Sequence, residues 1–381
     1  MVVGILGGGQ LARMLALAGV PLGLRFRCLD PAPDAVAGHV SELVVGAYDD
    51  PHALQHLVRG VRVVTFEFEN VPVAATRWLT DHVDVAPTPR ALEVGQDRVQ
   101  EKTLFASLGM KVPAWRAAAS REELHAAVAA VGAPCIVKTR RLGYDGKGQV
   151  RLPPGPGLAA AIDAAWHELA AHGPVGLIVE GFVAFDRELS VLAVRSRDGA
   201  VATWPLVENV HQGGILRTSR APAPDVPPAV ARQAAQFAQA VLEHLDYVGV
   251  LAIELFLQGE QLLANEMAPR VHNSGHWTIE GSVCSQFENH LRAVLGMPLG
   301  STAMAGGGFA TMVNLIGELP ARRALLALPG LHVHAYGKAP RAGRKLGHAT
   351  VVGADRATVD ATAAAVASMP LATPGDWGFA G

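Results

Sequence analysis

The sequence has few cysteines, few lysines and no excess of positive charge, and each shortage excludes a class of protein. Its 3 cysteines, Cys28, Cys135 and Cys284, lie far apart, so we expect a reducing compartment and no disulfide framework or zinc site. The 32 basic residues balance 34 acidic ones, which gives no reason to expect a nucleic acid or an anionic membrane as partner. Only 6 of the basic residues are lysines, so each lysine deserves notice as a compact point charge.

Long apolar runs are also missing. The longest apolar stretches are interrupted by arginine, glycine or proline before they reach a membrane-spanning length. The sequence opens with the apolar segment Met1–Leu6, which contains no basic residue and is followed at once by glycines, so we expect no signal peptide. Apolar residues nevertheless make up 50% of the 381 residues, which is typical of a large folded core. We expect a soluble cytoplasmic protein of two or three domains.

The first predicted domain covers residues 1–90. Short apolar strands at Met1–Leu6, Leu24–Leu29 and Val61–Phe66 alternate with helical segments and end in polar residues. This alternation predicts an open parallel α/β sheet with its polar side chains at the carboxyl edge, where such sheets bind ligands.

Two further domains are predicted over residues 91–185 and 186–381. The first contains a helix at Gly95–Leu108 and strands flanking a glycine-rich loop. The second is mostly antiparallel, with a hairpin of Val250–Leu257 and Gln261–Glu266, and ends in a small C-terminal subdomain.

Two glycine-rich segments could bind phosphate. Gly7–Gly9 precedes a helix, which fits either a dinucleotide site completed by Asp30 or a simple tight turn. The second segment, Gly143–Val150, follows Lys138 and contains Lys147. Glycine exposes backbone N–H groups and lysine neutralises phosphate oxygens, so this loop favours a phosphate lid over a flexible hairpin.

Two carboxylates in the predicted hairpin could hold a metal ion. Counting back from the turn places Glu254 and Glu266 nearly opposite each other among apolar neighbours. With Asn265 beside them, they offer the oxygen ligands that Mg²⁺ takes together with phosphate; a pair of exposed glutamates is the alternative. The donor-rich segment Ala268–Trp277 follows directly, and the basic segment Gly337–His348 could hold a phosphate monoester.

Together these segments resemble the ATP-grasp ligases, and within them the 5-(carboxyamino)imidazole ribonucleotide synthetases of purine biosynthesis. The resemblance covers nearly the whole chain. It rests on the segments Gly7–Met14, Phe66–Val71, Asp97–Arg98, Gly143–Gln149, Glu208–Ser219, Asn265–Thr278 and Gly343–His348.

The resemblance implies an ATP-grasp architecture of α/β and α+β character, with an N-terminal open parallel (Rossmann-like) domain, a small lid domain and a C-terminal antiparallel-sheet domain. It implies a carboxylate–amine ligase that uses ATP and bicarbonate to form carboxyphosphate, and then carboxylates the amine of 5-aminoimidazole ribonucleotide. ATP with Mg²⁺, two ions beside the bound nucleotide, and a homodimer are implied with it.

The resemblance also assigns roles to residues. For ATP it implies Arg98, Lys138, Gly143, Tyr144, Asp145, Gly146, Lys147, Gly148, Gln149, Glu180, Gly181, Phe182, Val183, Glu188, His211, Asn265 and Glu266. For Mg²⁺ it implies Glu254 and Glu266, and for the aminoimidazole ribonucleotide Glu69, Tyr144, Asp145, Arg344 and Lys345. Arg270, His272 and Asn273 are the candidate catalytic residues that orient bicarbonate and the intermediate.

Other functions remain open from the sequence. A formate-dependent glycinamide ribonucleotide transformylase shares segments like Phe66–Asn70 and Gly143–Gln149, although the donor-rich segment favours the carboxylating enzyme. An NAD-dependent oxidoreductase would explain Gly7–Gly9, but it would assign no function to Glu254 and Glu266. A non-enzymatic nucleotide-binding module would not need the donor-rich segment. Gly213 stands where the family frequently has an aspartate, so the role of His211 depends on whether such an aspartate orients it.

Overall fold

The computed structural model describes residues 1–143, 146–170, 176–373 and 375–378, and its strands form three sheets. The first is open and parallel, with strand order β3-β2-β1-β4-β5. Its strands are β1 Val2–Leu6, β2 Arg25–Asp30, β3 Glu42–Val45, β4 Val63–Phe66 and β5 Asp84–Val85, and its helices are α1 Gln10–Gly19, α2 Pro51–Val58 and α3 Val73–Thr80. The central strands β1 and β4 are almost wholly buried, as parallel strands covered on both faces are. The predicted parallel α/β sheet is confirmed.

Two helices, α4 Pro89–Gly95 and α5 Arg98–Ser107, connect the first sheet to the second. The single helix predicted over Gly95–Leu108 is therefore wrong at its start. Asp97 is extended and its carboxylate accepts a hydrogen bond from the Val99 N–H, so it caps α5 and separates the two helices. The cap fixes Arg98 as the first residue of α5. The predicted boundary between residues 90 and 91 falls inside α4 and stays a prediction.

The second sheet is antiparallel, with strand order β6-β9-β7-β8. Its elements are β6 Trp115–Ala118, α6 Arg121–Val131, β7 Cys135–Thr139, β8 Gln149–Leu152, α7 Leu158–Ala170 and β9 Leu177–Gly181. Buried residues of α6 and α7 pack on β7 and β9 to form its core. The glycine-rich loop joins β7 to β8, so it projects from one end of this sheet.

The third sheet has the order β15-β14-β10-β12-β13-β16-β18-β17, and β11 pairs with β10. Its strands are β10 Arg187–Arg195, β11 Val201–Thr203, β12 Val207–Gln212, β13 Ile215–Ala221, β14 Gly249–Gln258, β15 Gln261–Ala268, β16 Phe309–Ile316, β17 Leu331–Ala335 and β18 Lys345–Gly353. The helices are α8 Pro228–His244, α9 Thr278–Gly281, α10 Gln286–Val294, α11 Arg322–Leu326 and α12 Arg356–Ala365. Adjacent strands are antiparallel throughout, which confirms the predicted class of this region.

Two parts of the third sheet are absent from the sequence prediction. The β12–β13 hairpin turns at Gly213 and Gly214, whose φ angles of 60° and 76° suit a two-residue turn. The basic segment ends in a strand, because Lys345 begins β18. No helix in the described part of the chain is long and apolar enough to cross a membrane.

Candidate active site

A cavity of about 680 Å³ is lined by residues of α1 and of the loop after β4, and by residues of the second and third sheets. A cavity of this size matches a small-molecule site. The predicted site residues that line it are Glu69, Arg98, Lys138, Gly143, Gly146, Lys147, Gln149, Glu188, His211, Glu254, Asn265, Glu266, Arg270, His272, Asn273 and Lys345. Gly148, Glu180, Gly181, Phe182, Val183 and Arg344 do not line it. Tyr144 and Asp145 lie outside the described residues.

The two predicted metal ligands are register partners on β14 and β15, Glu254 opposite Glu266. Burial and the neighbouring Glu266 raise the pKa of Glu254 to about 7. Burial raises and the Arg98 guanidinium lowers the pKa of Glu266, and the net result is a pKa of about 2. Glu266 is thus compensated by a directly bonded cation, while at Glu254 burial and the repulsion of Glu266 outweigh the attraction of His211 and Lys345.

Asn265 gives the hairpin a third oxygen. Its Oδ1 atom is buried and has no hydrogen-bond partner among the described residues. Within those residues, no group of three or more histidine, cysteine, aspartate or glutamate side chains could hold a metal alone. Two carboxylates and one amide oxygen do fit Mg²⁺, which takes its remaining ligands from phosphate and water.

Lys138 and a second lysine share one buried carboxylate. Lys138 Nζ donates to Glu180 Oε2 at 2.8 Å, and Lys102 Nζ lies 3.7 Å from the same oxygen. Burial raises and the two lysines lower the pKa of Glu180, to about 2. Lys102 is fully buried and was missed by the sequence analysis. The scarcity of lysine was the available signal.

The strand predicted to contact adenine has part of its backbone occupied. The Gly181 N–H donates to the Ala114 carbonyl at 2.8 Å, and the Phe182 N–H donates to the Pro134 carbonyl at 3.1 Å. The Glu180 side chain faces the lysines instead of the cavity. Any adenine contact from this strand must therefore use other backbone groups, and the assignment of Glu180–Val183 to adenine stays a prediction.

The glycine-rich loop contacts the turn of the β12–β13 hairpin. Gly146 has a φ of 75°, and a Cβ atom placed on it would lie 3.0 Å from the Gly214 Cα and 3.2 Å from the Gly213 carbonyl oxygen. A Cβ atom placed on Gly148 would likewise lie 2.7 Å from the Thr139 hydroxyl oxygen. The close contacts of this loop are possible only because Gly146 and Gly148 lack side chains.

His211 has an orienting carboxylate, although Gly213 stands where the family that the sequence resembles frequently has an aspartate. Its Nδ1 lies 2.8 Å from Glu188 Oε2. Burial lowers the pKa of His211, but Glu188 and nearby carboxylates outweigh burial and raise it overall. Glu188 therefore supplies the partner that the sequence analysis left open, and both side chains line the cavity.

An ion pair crosses between the first sheet's edge and the donor-rich segment. Arg270 Nε donates to Glu69 Oε2 at 2.5 Å, and its Nη1 donates to the Val271 carbonyl at 3.1 Å. Burial and then Arg270 lower the pKa of His272 to about 3, so its imidazole is neutral at physiological pH. Both polar atoms of the Asn273 amide are buried without partners among the described residues, so this cavity-lining amide can serve a ligand.

One lysine of the basic segment lines the cavity, and a second lysine bonds a residue that lines it. Lys345 lines the cavity, whereas Arg344 does not and donates to the Ala339 carbonyl at 3.3 Å. Lys338 donates to the Gln10 side chain. Burial lowers the pKa of Lys338 to about 8, although Glu67 opposes the fall. Gln10 and Lys338 were not among the predicted site residues.

The glycine turn before α1 already holds carboxylates of the protein. Glu67 Oε1 and Oε2 accept hydrogen bonds from the Gly9 and Ala12 N–H groups, and Asp30 accepts one from the Gly8 N–H at 2.7 Å. The helix N-terminus is the feature that would bind a pyrophosphate. Because Glu67 occupies it, the geometry does not favour the NAD-dependent alternative.

Three family models match the chain. They are the ribonucleotide synthetase preATP-grasp domain over residues 1–96, the ATP-grasp domain over residues 103–287 and the phosphoribosylaminoimidazole carboxylase C-terminal domain over residues 310–362. Among curated relatives, an N5-carboxyaminoimidazole ribonucleotide synthase of Pseudomonas aeruginosa is 49% identical, with 97% of this chain and 99% of the relative covered. One from Bacillus subtilis is 38% identical, with 92% and 90% covered.

Solved structures give the same result. The N5-carboxyaminoimidazole ribonucleotide synthetase of Thermus thermophilus superposes with a TM-score of 0.89 at 52% identity, covering 98% of this chain and 99% of that one. The enzyme of Aspergillus clavatus in complex with ADP and 5-aminoimidazole ribonucleotide has a TM-score of 0.87 at 29% identity, with 96% and 97% covered. These similarities confirm the resemblance and the ATP-grasp fold that the sequence motifs indicated.

Proposed function

Because the chain belongs to the N5-carboxyaminoimidazole ribonucleotide synthase family, we propose that it uses ATP and bicarbonate to carboxylate 5-aminoimidazole ribonucleotide. The products are N5-carboxyaminoimidazole ribonucleotide, ADP and phosphate, so the chain is an ATP-grasp carboxylate–amine ligase of purine biosynthesis. The observation that carries the proposal is the pairing of Glu254 with Glu266 on a cavity wall shared with Arg98 and Lys138. Opposed carboxylates beside fixed cations suit a metal-bound triphosphate.

ATP binds against the part of the cavity wall that β7, β14 and β15 form. Lys138 and Arg98 neutralise phosphate oxygens, and the backbone N–H groups of the glycine loop add donors. Glu254, Glu266 and the Asn265 amide oxygen would hold Mg²⁺, which when bound offsets the charge on the transferred phosphoryl group. Glu188 and His211, 2.8 Å apart, bind the nucleotide's sugar side.

The first reaction makes bicarbonate an electrophile. A bicarbonate oxygen bonds to the γ-phosphorus, the bond to the ADP oxygen breaks, and carboxyphosphate and ADP result. Arg270 holds the anionic carboxyl group, because Glu69 and the Val271 carbonyl fix its guanidinium in place. The neutral His272 and the unpartnered Asn273 amide supply hydrogen bonds without adding charge.

The second reaction forms the carbamate. The exocyclic amine of the ribonucleotide bonds to the carboxyl carbon, the bond from that carbon to the phosphate oxygen breaks, and the proton that the amine loses passes to the departing phosphate. Glu69 lies at the junction of the two substrates and orients the amine, while Lys345 and Arg344 bind the ribonucleotide phosphate, with Lys338 nearby. Tyr144 and Asp145 retain their proposed place beside the same substrate. Substrates that fill the cavity would keep water from the mixed anhydride.

Assembly and location belong to the same proposal. The family resemblance implies a cytoplasmic homodimer. Light scattering of the purified chain at several concentrations tests the assembly, and a monomer at all of them would contradict it.

A coupled assay for ADP release tests the reaction. We expect ADP formation only when Mg·ATP, bicarbonate and 5-aminoimidazole ribonucleotide are all present. Dependence on formate and glycinamide ribonucleotide would instead identify a transformylase. Hydride transfer to a nicotinamide without ADP would identify an oxidoreductase, and nucleotide binding without turnover would identify a binding module.

A further inference from the structure

The outer edge of the metal hairpin is bonded to two consecutive side chains of α5. Strand β15 is the edge strand of the third sheet. The Met267 N–H donates to Glu101 Oε1 at 2.6 Å, and Lys102 Nζ donates to the Asn265 carbonyl at 2.5 Å. Glu101 and Lys102 therefore satisfy an N–H and a C=O group that a further strand would otherwise pair. We call these two side chains the edge clamp.

The edge clamp bonds the strand where its register is broken. Glu254 pairs with Glu266, but Leu255 pairs with Ala264, so Asn265 is an extra residue in a β-bulge. In a regular strand, consecutive side chains point to opposite faces. Here Asn265 and Glu266 both line the cavity, while Ala264 and Met267 on either side of them pack in the core. The bulge is thus what turns two successive oxygen-bearing side chains toward one site.

The edge clamp is an expensive way to support a strand. Glu101 is 2% exposed and Lys102 is 0% exposed, so two ionisable groups are almost wholly removed from water. Well-packed apolar residues usually stabilise a core at least as well as a buried ion pair. Hydrogen bonds from the edge clamp do what apolar packing cannot, because they fix the positions of the Met267 N–H and the Asn265 carbonyl.

We propose that the edge clamp holds the bulge in β15 and thereby aims Asn265 and Glu266 at a single divalent cation. Lys102 is accordingly a positioning residue that touches neither metal nor nucleotide. This inference rests on the proposed function, because it concerns the metal that the hairpin would hold with ATP. It predicts that loss of Lys102 weakens metal binding more than nucleotide binding.

The test measures both affinities in the full-length protein. Mn²⁺ replaces Mg²⁺ and its binding in the presence of ADP is followed by electron paramagnetic resonance; ADP binding without metal is followed by titration calorimetry. Lys102→Met keeps the length of the side chain without its charge. We expect about tenfold or greater weakening of Mn²⁺ binding, since partners of metal ligands typically contribute on that scale, and at most about a threefold change for ADP.

Two variants complete the experiment. Lys111→Met is the matched control, because the Lys111 carbonyl also bonds this edge, at the Ala264 N–H, but its side chain is exposed; it should bind Mn²⁺ like the wild type. If Lys102→Met does not fold, Glu101→Leu removes the other half of the edge clamp and should weaken Mn²⁺ binding as strongly. Unchanged Mn²⁺ affinity, or equal losses for Mn²⁺ and metal-free ADP, overturns the inference. A wild-type protein that binds no Mn·ADP contradicts the proposed function instead.

Discussion

Arg98 Nη1 donates to Glu266 Oε2 at 2.8 Å, so the cation assigned to phosphate and the carboxylate assigned to metal bind each other. The helix cap by Asp97 places Arg98 at the start of α5, and the bulge in β15 turns Glu266 toward it. The pair keeps both charges compensated in a partly buried site. A metal ion at Glu266 and a phosphate at Arg98 would replace each partner with another of the same sign.

The pair makes Glu266 the most sensitive ligand in the site. Glu266→Gln keeps the shape of the side chain but removes its charge. We expect ADP formation to fall by about a thousandfold or more, because a neutral amide is a poor ligand for a hard cation and leaves Arg98 uncompensated. The coupled ADP assay measures the loss, and circular dichroism verifies the fold. Glu260→Gln, at the exposed turn of the same hairpin, is the control and should retain activity. Near-normal turnover of Glu266→Gln would refute the metal role.

The geometry of Arg270 leads to a second prediction. Lysine at this position keeps the charge but cannot make two directed bonds to Glu69 and to the Val271 carbonyl. For Arg270→Lys we expect kcat to fall by about a hundredfold, with the KM for ATP changed by less than about threefold. Steady-state kinetics with each substrate varied will separate the two. Arg77→Lys, in an exposed ion pair with Glu93, is the matched control. If Arg270→Lys and Arg77→Lys have the same kcat, Arg270 does not take part in the reaction.

Lys338 should make substrate binding depend on pH. With its pKa lowered to about 8 by burial, its ammonium group loses its proton between neutral and alkaline pH. We expect the KM for the aminoimidazole ribonucleotide to rise about tenfold from pH 7 to pH 9, since only about a tenth of the amine stays protonated one unit above its pKa. Lys338→Met should show a raised KM at both pH values and no step between them. Arg341→Met, an exposed cation of the same segment, should keep the step.

The same pKa has a consequence for stability. Between about pH 8 and the ordinary pKa of lysine near 10.5, the unfolded chain binds more protons at Lys338 than the folded chain. The contribution of this group to the free energy of unfolding therefore rises with pH across that interval. We therefore expect the free energy of unfolding, measured with denaturant at pH 8 and pH 10, to rise more with pH in the wild type than in Lys338→Met. Parallel pH dependence of the two proteins would contradict the burial of the amine.

The contact between the glycine loop and the β12–β13 turn gives a matched pair of variants. Gly146→Ala forces a side chain against the Gly214 backbone at a φ of 75°. We expect the KM for ATP to rise about tenfold, because the loop cannot take its place over the phosphates. Gly213→Asp should change it by less than about twofold, since aspartate tolerates a positive φ and a Cβ there meets nothing within 4 Å.

Proteolysis provides the second readout for this loop. Cleavage at Lys147 should slow when Mg·ATP is added to the wild type and to Gly213→Asp, and slow less in Gly146→Ala. A loop that is cut at the same rate with and without nucleotide in the wild type would not act as a lid.

Local patterns in the sequence determined much of the fold. The alternation of apolar strands and helices predicts the parallel sheet, because strands buried on both faces must be apolar throughout. Counting back from the short turn pairs Glu254 with Asn265 in a regular hairpin, next to Glu266, so the sequence predicts that the two glutamates are nearly opposite. The bulge at Asn265 then shifts the pairing by one residue and puts Glu254 opposite Glu266. Even the missed break before α5 has a local signal in Asp97, a preferred cap residue.

Tertiary structure alone decided which distant side chains meet. Asn265 is an extra residue at the point where α5 bonds the edge of β15, and Lys102, which makes one of those bonds, lies 163 positions earlier in the chain than Asn265. Glu188 contacts His211 from a neighbouring strand, and Glu67 fills the helix N-terminus that the glycine turn would otherwise offer to a ligand. The pKa of a buried group and the strength of its electrostatic interactions depend on every group packed around it. That environment is created by folding and is not written in any one segment of the sequence.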